Sequence, residues 1–385
     1  MYIRRLAELE LQKQLFSKKA SMILGARQVG KTTLVKHILE GKENAFFNFD
    51  ISYDSDRFFS IAKLPPLDAM KALNNPSFII IDEAQRFSET ARVVKGWLDF
   101  GVDVKIILLG SSSFQLLHQT SESLTGRNEK IFLSPLLFKE IISSQSWYTE
   151  LFTPIQLEEN FKNQISEILM QSIIYGNYPE VVTSLNKDSL LFDIVSDYLL
   201  KDVLQIGTVN NIEILKKLLN LLAYQIGGEV SINEIANNLN ITRATAEKYI
   251  DLLEETFVIF RLPAFSNNQR KEITKSKKIY FWDNGIRNAL IKEFSMNPMR
   301  SDIGALWENW VVSEFAKKNM LDGQPRKIFF WRNRDSSEVD LIVKENEKIE
   351  AFEIKWKNQK IKNRAFENMY NIKVKLLSSE KPLFF

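Results

Sequence analysis

The chain has 385 residues, 45% of them apolar and 26% charged, with a net charge of +3, no cysteine and only two histidines, His37 and His118. That composition excludes disulfides, thiol catalysis, thiolate zinc sites and a multi-histidine metal centre, and it fits a reducing cytoplasm. The charge is uneven: residues 266–385 hold 24 Lys and Arg against 16 Asp and Glu, a net of about +8, which leaves the first 265 residues net acidic.

The start, MYIRRLAELELQKQL, is charged throughout and lacks the apolar core of a signal peptide. Apolar runs such as 78–81 and 106–109 are far too short to span a bilayer, so a cytoplasmic protein without a membrane partner is expected. Residues 21–24, SMIL, predict a short buried strand. Gly25, Ala26, Arg27, Gln28, Val29, Gly30, Lys31 and Thr32 follow, then the helical run from Thr33. This is G-x-x-x-x-G-K-[ST] in its strand–loop–helix context. The glycines let backbone N–H groups turn onto phosphate oxygens, and the helix points its positive end at the same place. Residues 25–33 are therefore the expected ATP contacts, with Lys31 reaching the β- and γ-phosphates and the Thr32 hydroxyl holding Mg²⁺.

Residues 45–50, AFFNFD, predict another strand, and 78–81, FIII, predict one buried on both faces of a parallel sheet. Asp82 at its carboxyl end would join the Mg²⁺ shell, and Glu83 would polarise the attacking water. A third strand over 104–109 runs into Gly110 and Ser111–Ser113, where Ser111 would sit beside the γ-phosphate. Arg127, in LTGR, is a candidate for stabilising transition-state charge, in its own subunit or a neighbour's. A structural arginine fits the same residues.

Taken in order, GARQVGKTTL, IIIDEAQRF, IILLGSSSF, LTGR and PLLFKE resemble the AAA-type ATPases of bacteria and archaea that carry a C-terminal restriction-endonuclease-like domain of unknown function. Tyr175–Glu180 is similar to that family's Gly-x-x-Pro segment in a helical lid, and Tyr198–Asp202 to its helix ending in a Lys–Asp pair. The resemblance implies an ATPase core and the nucleotide roles just given for Lys31, Thr32, Asp82, Glu83 and Arg127.

From Glu229 the chain predicts two short helices, a tight turn and a strand. Ser231 and Glu234 form a capping box, Asn240 breaks the first helix, Thr242 caps the second, and residues 256–262 read as the strand. This is a helix-turn-helix with a wing. The exposed side of its second helix, Arg243, Thr245, Glu247, Lys248 and Asp251, mixes signs, so it does not indicate direct sequence reading. Lys271, Lys275, Lys277 and Lys278 precede a strand over 279–282 that, by the resemblance, joins the winged helix to the last domain.

An amphipathic helix beginning near Leu306 carries Glu308. Residues 338–344 and 349–355 then alternate as two strands of a hairpin. Pairing 344 with 349 places Asp340 opposite Glu353, with Lys355 on the same face. Opposed carboxylates repel unless something compensates. Asp340 and Glu353 would bind Mg²⁺, Lys355 would assist the attacking water, and Glu308 would complete the site. The set resembles the PD-(D/E)-x-K nuclease fold.

The expected architecture is α/β: a P-loop NTPase parallel sheet over 1–150, a helical lid over 151–205, a winged helix over 206–265 and a nuclease-like domain over 266–385. The expected cofactors are ATP and Mg²⁺. The expected partner is nucleic acid, DNA ahead of RNA, and an oligomer is admitted. A rival reading is a nucleotide-dependent switch or scaffold that holds a protein partner, with a silent C-terminal domain.

Overall fold

The computed structural model describes residues 2–111, 124–199, 211–266, 277–333, 337–361 and 364–383. Ser112, Ser113, Lys271, Lys275, the end of the Tyr198–Asp202 segment and the 205/206 boundary lie outside the described residues. The chain forms two compact units, Arg4–Ser134 and Pro135–Phe385, the second joined by residues 1–3.

The Arg4–Ser134 unit is built on five strands: β1 Ala20–Leu24, β2 Asn44–Asn48, β3 Phe78–Asp82, β4 Lys105–Gly110 and β5 Asn128–Phe132. Every pairing is parallel, in the order β2-β3-β4-β1-β5. The near-continuous apolar runs of β1, β3 and β4 belong to central strands covered on both faces, and β1 and β4 are buried along their whole length. The edge strands β2 and β5 are only partly buried. On one face Phe58 meets Phe47, Phe49 and Trp97 at ring-centre distances of 5.3, 5.2 and 5.6 Å, edge to face. These aromatics hold the helices Ser52–Ala62 and Glu89–Phe100 against the sheet.

The unit ends at Ser134. Residues 135–150, read from sequence with the ATPase core, pack in the second unit, where the Leu136 N–H donates to Asn177 O at 2.8 Å and the Phe138 N–H to Glu314 Oε2 at 2.8 Å.

The second unit opens with helices, the longest being Lys162–Tyr175, which ends at Gly176. Gly176 has φ +71, and a Cβ there would lie 1.8 Å from the Asp283 carboxylate, so only glycine fits. The helices Ile232–Leu239 and Arg243–Glu255 follow, with Asn240 left-handed at φ 53 between them and Thr242 Oγ1 accepting from the Thr245 N–H at 3.1 Å. Ala246, Tyr249, Ile250 and Leu253 face inward as their spacing predicts. Strands β6 Ile259–Pro263 and β7 Lys277–Phe281 pair antiparallel.

A four-stranded sheet completes the unit: β8 Lys327–Arg332, β9 Glu338–Glu345, β10 Lys348–Lys355 and β11 Val374–Ser378, in the order β11-β10-β9-β8. The β9–β10 hairpin pairs Lys344 with Ile349, the expected register, and turns through Asn346 at φ 54. The Phe265 N–H donates to Phe330 O at 2.6 Å, so the segment after β6 reaches the edge strand β8. Phe265, Phe329, Trp331, Val339, Ile342 and Phe366 make the core on one face. The helix Ile303–Leu321 lies against the sheet, its Trp307 Nε1 donating to Leu377 O at 3.3 Å.

Candidate functional site

Gly25 opens the loop after β1 because the chain crowds it: a Cβ there would lie 2.0 Å from Leu133 O. The loop turns through Gln28 at φ 61 and Gly30 at φ 93 and enters the helix Lys31–Ile38. Arg5 braces it from behind, donating through Nη1 to Val29 O and through Nη2 to Ser134 O, both at 2.7 Å. Lys31 is buried and turns its ammonium into the loop, donating to Gly25 O and Ala26 O at 2.8 Å each.

The end of β3 meets this loop. Thr32 Oγ1 donates to Asp82 Oδ2 at 2.6 Å, and Asp82 Oδ1 accepts from the Glu83 N–H at 3.0 Å. Glu83 is left-handed, φ 53 and ψ 41, a conformation that costs a bulky residue about 1 kcal/mol and that local contacts must repay. They do so at the carboxylate. Glu83 Oε2 accepts from Gln85 Nε2 at 2.5 Å and from Ser111 Oγ at 3.3 Å, and Arg27 Nη2 lies 3.7 Å away. Arg27 Nη2 is also 3.9 Å from Asp50 Oδ2, and Asp50 pairs with Arg86. A hydroxyl and a carboxylate in contact are hard oxygen donors of the kind Mg²⁺ takes, so Thr32 and Asp82 fit that ion.

The structure therefore gathers the loop, Lys31, Thr32, Asp82, Glu83 and Ser111 at the carboxyl ends of β1, β3 and β4. It does not bring Arg127 there. Asn128 pairs with Ala20, so Arg127 stands at the amino edge of the sheet, about 13 Å of strand away from the loop, and its guanidinium is bound to Asp99. Sequence reading missed Asp50, Gln85, Arg86 and Arg5. Gln85 and Arg86 lay in the quoted IIIDEAQRF, but nothing in one sequence says which way they point.

The second site is a cleft of about 740 Å³ in the second unit. Continuing the hairpin register sets Glu353 against Asp340. Asp340 is buried, and its Oδ2 accepts from the Ile354 N–H at 2.7 Å and from Lys355 Nζ at 3.2 Å. Lys355 Nζ also lies 2.7 Å from Glu353 Oε1, so one ammonium bridges both carboxylates. Burial would lower the Lys355 pKa, but Asp340 and Glu353 together raise it above the ordinary lysine value.

Glu308 faces the same cleft and accepts from Lys278 Nζ at 3.0 Å and from Tyr280 Oη at 2.7 Å. Lys278 pairs with Glu338 as well. Burial works against the Lys278 charge, yet Glu308 and Glu338 lift its pKa above the usual lysine range. Burial raises the Glu308 pKa, Lys278 opposes that, and Asp340 adds to it. Lys278 and Tyr280 come from β7, a segment read from sequence only as a connector; their alternation in KKIYF was the available sign that they share a face. Among the described residues no group of three or more acids or histidines is placed to hold a metal.

On the second helix of the helix pair, the exposed acids are matched: Glu247 lies 3.6 Å from Arg243, and Asp251 lies 2.8 Å from Arg261.

Comparison with known proteins finds three family matches along the chain. A family described as an AAA domain matches residues 17–142, a domain of unknown function (DUF8612) matches 166–297, and another (DUF4143) matches 303–383. An uncharacterized protein of Mycobacterium tuberculosis is 27% identical over 361 residues, covering 91% of this chain and 74% of that one. An uncharacterized protein of Methanocaldococcus jannaschii, MJ1544, is 28% identical over 377 residues, covering 93% and 80%. In structure, the chain is similar to the Walker-type ATPase PABY2304 of Pyrococcus abyssi, with a TM-score of 0.52 at 16% identity over 75% of this chain and 96% of that one. No described helix is long and apolar enough to cross a membrane. The parallel sheet, its phosphate loop and these matches together support an AAA-type ATPase domain on the P-loop NTPase fold, followed by a small C-terminal α/β domain.

Proposed function

We propose that the Arg4–Ser134 unit binds Mg²⁺–ATP and hydrolyses it to ADP and phosphate. The observation that carries this reading is the 2.6 Å contact between Thr32 and Asp82 beside a loop that already encloses the Lys31 ammonium. Lys31 exchanges the Gly25 and Ala26 carbonyls for the β- and γ-phosphates, which outbid neutral acceptors through their charge. Thr32 and Asp82 would hold Mg²⁺, which would supply neutralisation of the phosphate charge. Glu83 orients a water in line with the γ-phosphorus. The water oxygen bonds to phosphorus, the bond to the bridging oxygen breaks, ADP leaves with that electron pair, and the water's proton passes to Glu83.

Two substitutions separate binding from chemistry. Lys31→Ala is expected to weaken ATP at least tenfold. Glu83→Gln should keep ATP binding and slow turnover by about 100-fold or more. ATPase activity unchanged by both substitutions would remove the reading.

For the C-terminal cleft, the convergence of Glu308, Asp340, Glu353 and Lys355 supports a nuclease-like domain that contacts nucleic acid, DNA before RNA. The helix pair with strands β6 and β7 reads as its winged helix. A specific observation favours the rival, a nucleotide switch with a silent cleft and a protein partner: Lys355 and Lys278 already neutralise the carboxylates, so a divalent ion bound by Asp340 and Glu353 must displace Lys355. Incubation with plasmid and single-stranded DNA in Mg²⁺ or Mn²⁺ decides. Cleavage abolished in both Asp340→Ala and Lys355→Ala supports the nuclease; no cleavage by the native protein supports the switch.

A further inference from the structure

The ATPase unit holds its proposed base in check with its own phosphate loop. Glu83 Oε2 is engaged by Gln85, by Ser111 and, across 3.7 Å, by the Arg27 guanidinium. Arg27 is the third residue of that loop and its side chain is 12% exposed. It has a second carboxylate, Asp50 at 3.9 Å, and Asp50 is itself shared with Arg86. These two carboxylate contacts exceed hydrogen-bond length, so charge rather than directed bonds links Arg27 to Glu83 and Asp50. A guanidinium this close to the water-orienting carboxylate stands within side-chain reach of the place where the γ-phosphate must lie. Arg127, paired with Asp99 at the opposite edge of the sheet, has no such access in its own subunit.

We propose that Arg27 is the chain's own phosphate-sensing arginine, resting on Glu83 and Asp50 without nucleotide and moving to the γ-phosphate of bound ATP. A polyanion with planar oxygen pairs suits the guanidinium fork better than two separate carboxylates do. The move has two consequences. It takes a competing positive charge off Glu83, which Gln85 and Ser111 go on positioning, and it delivers positive charge to the transferring group as bond breaking spreads negative charge over its oxygens. ADP lacks the γ-phosphate and leaves Arg27 on Glu83, so the loop distinguishes the two nucleotides and withholds the base from the wrong one. This inference rests on the ATPase reading above.

The test uses the full chain and titration calorimetry with Mg²⁺–ADP and with Mg²⁺ plus a non-hydrolysable ATP analogue. Arg27→Met is expected to weaken the analogue about tenfold or more and ADP by less than about threefold, and to slow ATP turnover by about 100-fold or more. Arg27→Gln, measured the same way, replaces it if the methionine variant fails to fold by circular dichroism. A ratio of analogue to ADP affinity equal to the native ratio overturns the role of Arg27 and leaves the ATPase reading standing. Native protein that binds neither nucleotide overturns the ATPase reading itself. The resting contact has its own readout: a double-mutant cycle between Arg27→Gln and Glu83→Gln on the unfolding of the nucleotide-free protein is expected to show coupling, and strictly additive losses would remove the resting state.

Discussion

At the scale of single residues, two lysines show how position sets chemistry. Lys105 begins β4 and is buried, donating to Ser17 O at 3.2 Å and to Lys19 O. Burial pushes its pKa from 10.5 down to about 8, with Glu129 pulling it back upward. Between those two values the unfolded chain carries a proton that the folded chain lacks. The Lys105 contribution to stability therefore rises with pH from about 8 to about 10.5, and below 8 the cost of burying a charge is felt in full. Lys105→Met removes that slope. Urea melts of both proteins from pH 7.5 to 10 should show the native protein gaining relative to the variant, and parallel curves would refute it. Lys278 is the reverse case, kept charged by Glu308 and Glu338. Lys278→Met leaves two carboxylates without their shared cation, and a loss of about 3 kcal/mol is expected from chemical denaturation. Saturating Mn²⁺ should restore part of it only if the cleft accepts a divalent ion.

At the scale of elements, the hairpin and the helix behind it carry the second site. The β9–β10 register pairs Lys344 with Ile349 around a turn at Asn346, and a one-residue slip would carry Glu353 and Lys355 to the face away from Asp340. Beside the Glu308 contacts with Lys278 and Tyr280, a buried amide ties the helix Ile303–Leu321 to the backbone of β7. Asn309 Oδ1 accepts from the Phe281 N–H at 2.8 Å, and its Nδ2 donates to Phe281 O at 3.0 Å and to Asn284 Oδ1 at 2.6 Å. Asn309→Leu keeps the volume and orphans both backbone groups of Phe281. It should lower the unfolding free energy by about 2–4 kcal/mol with an unchanged denaturant slope. A loss under about 0.5 kcal/mol would mean that water or a shifted backbone replaces the amide. The same helix carries Glu308, so the substitution also tests whether the cleft needs this anchor.

At the scale of the whole molecule, the division at Ser134 puts the P-loop sheet in one unit and the cleft in the other. Calorimetric unfolding with Mg²⁺–ATP at 100 times its Kd should stabilise the Arg4–Ser134 unit by about 2.7 kcal/mol. A thermogram that ATP leaves unmoved would contradict nucleotide binding. A movement of the second unit's transition in the same experiment measures the coupling that a nucleotide-gated cleft requires. The net charge of about +8 over residues 266–385 belongs at this scale too. If that surface binds DNA through phosphates, affinity should fall steeply as salt rises from about 50 to 200 mM.

Local rules determined a good deal of this. The phosphate loop, the apolar strand ending in Asp82 and Glu83, the caps at Thr242 and Asn240 and the hairpin register all depend on neighbours in sequence, where spacing and backbone preference act directly. The long-range meetings were decided only in the tertiary structure. Arg27 reaches Glu83 because strands β1 and β3, separated by β4, end on one edge of the sheet. Arg127 lies away from the loop of its own chain because its register against β1, not its neighbours in sequence, puts it at the other edge. Lys278 joins Glu308 and Glu338 across 30 and 60 positions for the same reason. Which charges share a buried space depends on how strands are ordered and where helices dock, and a linear pattern carries no record of either.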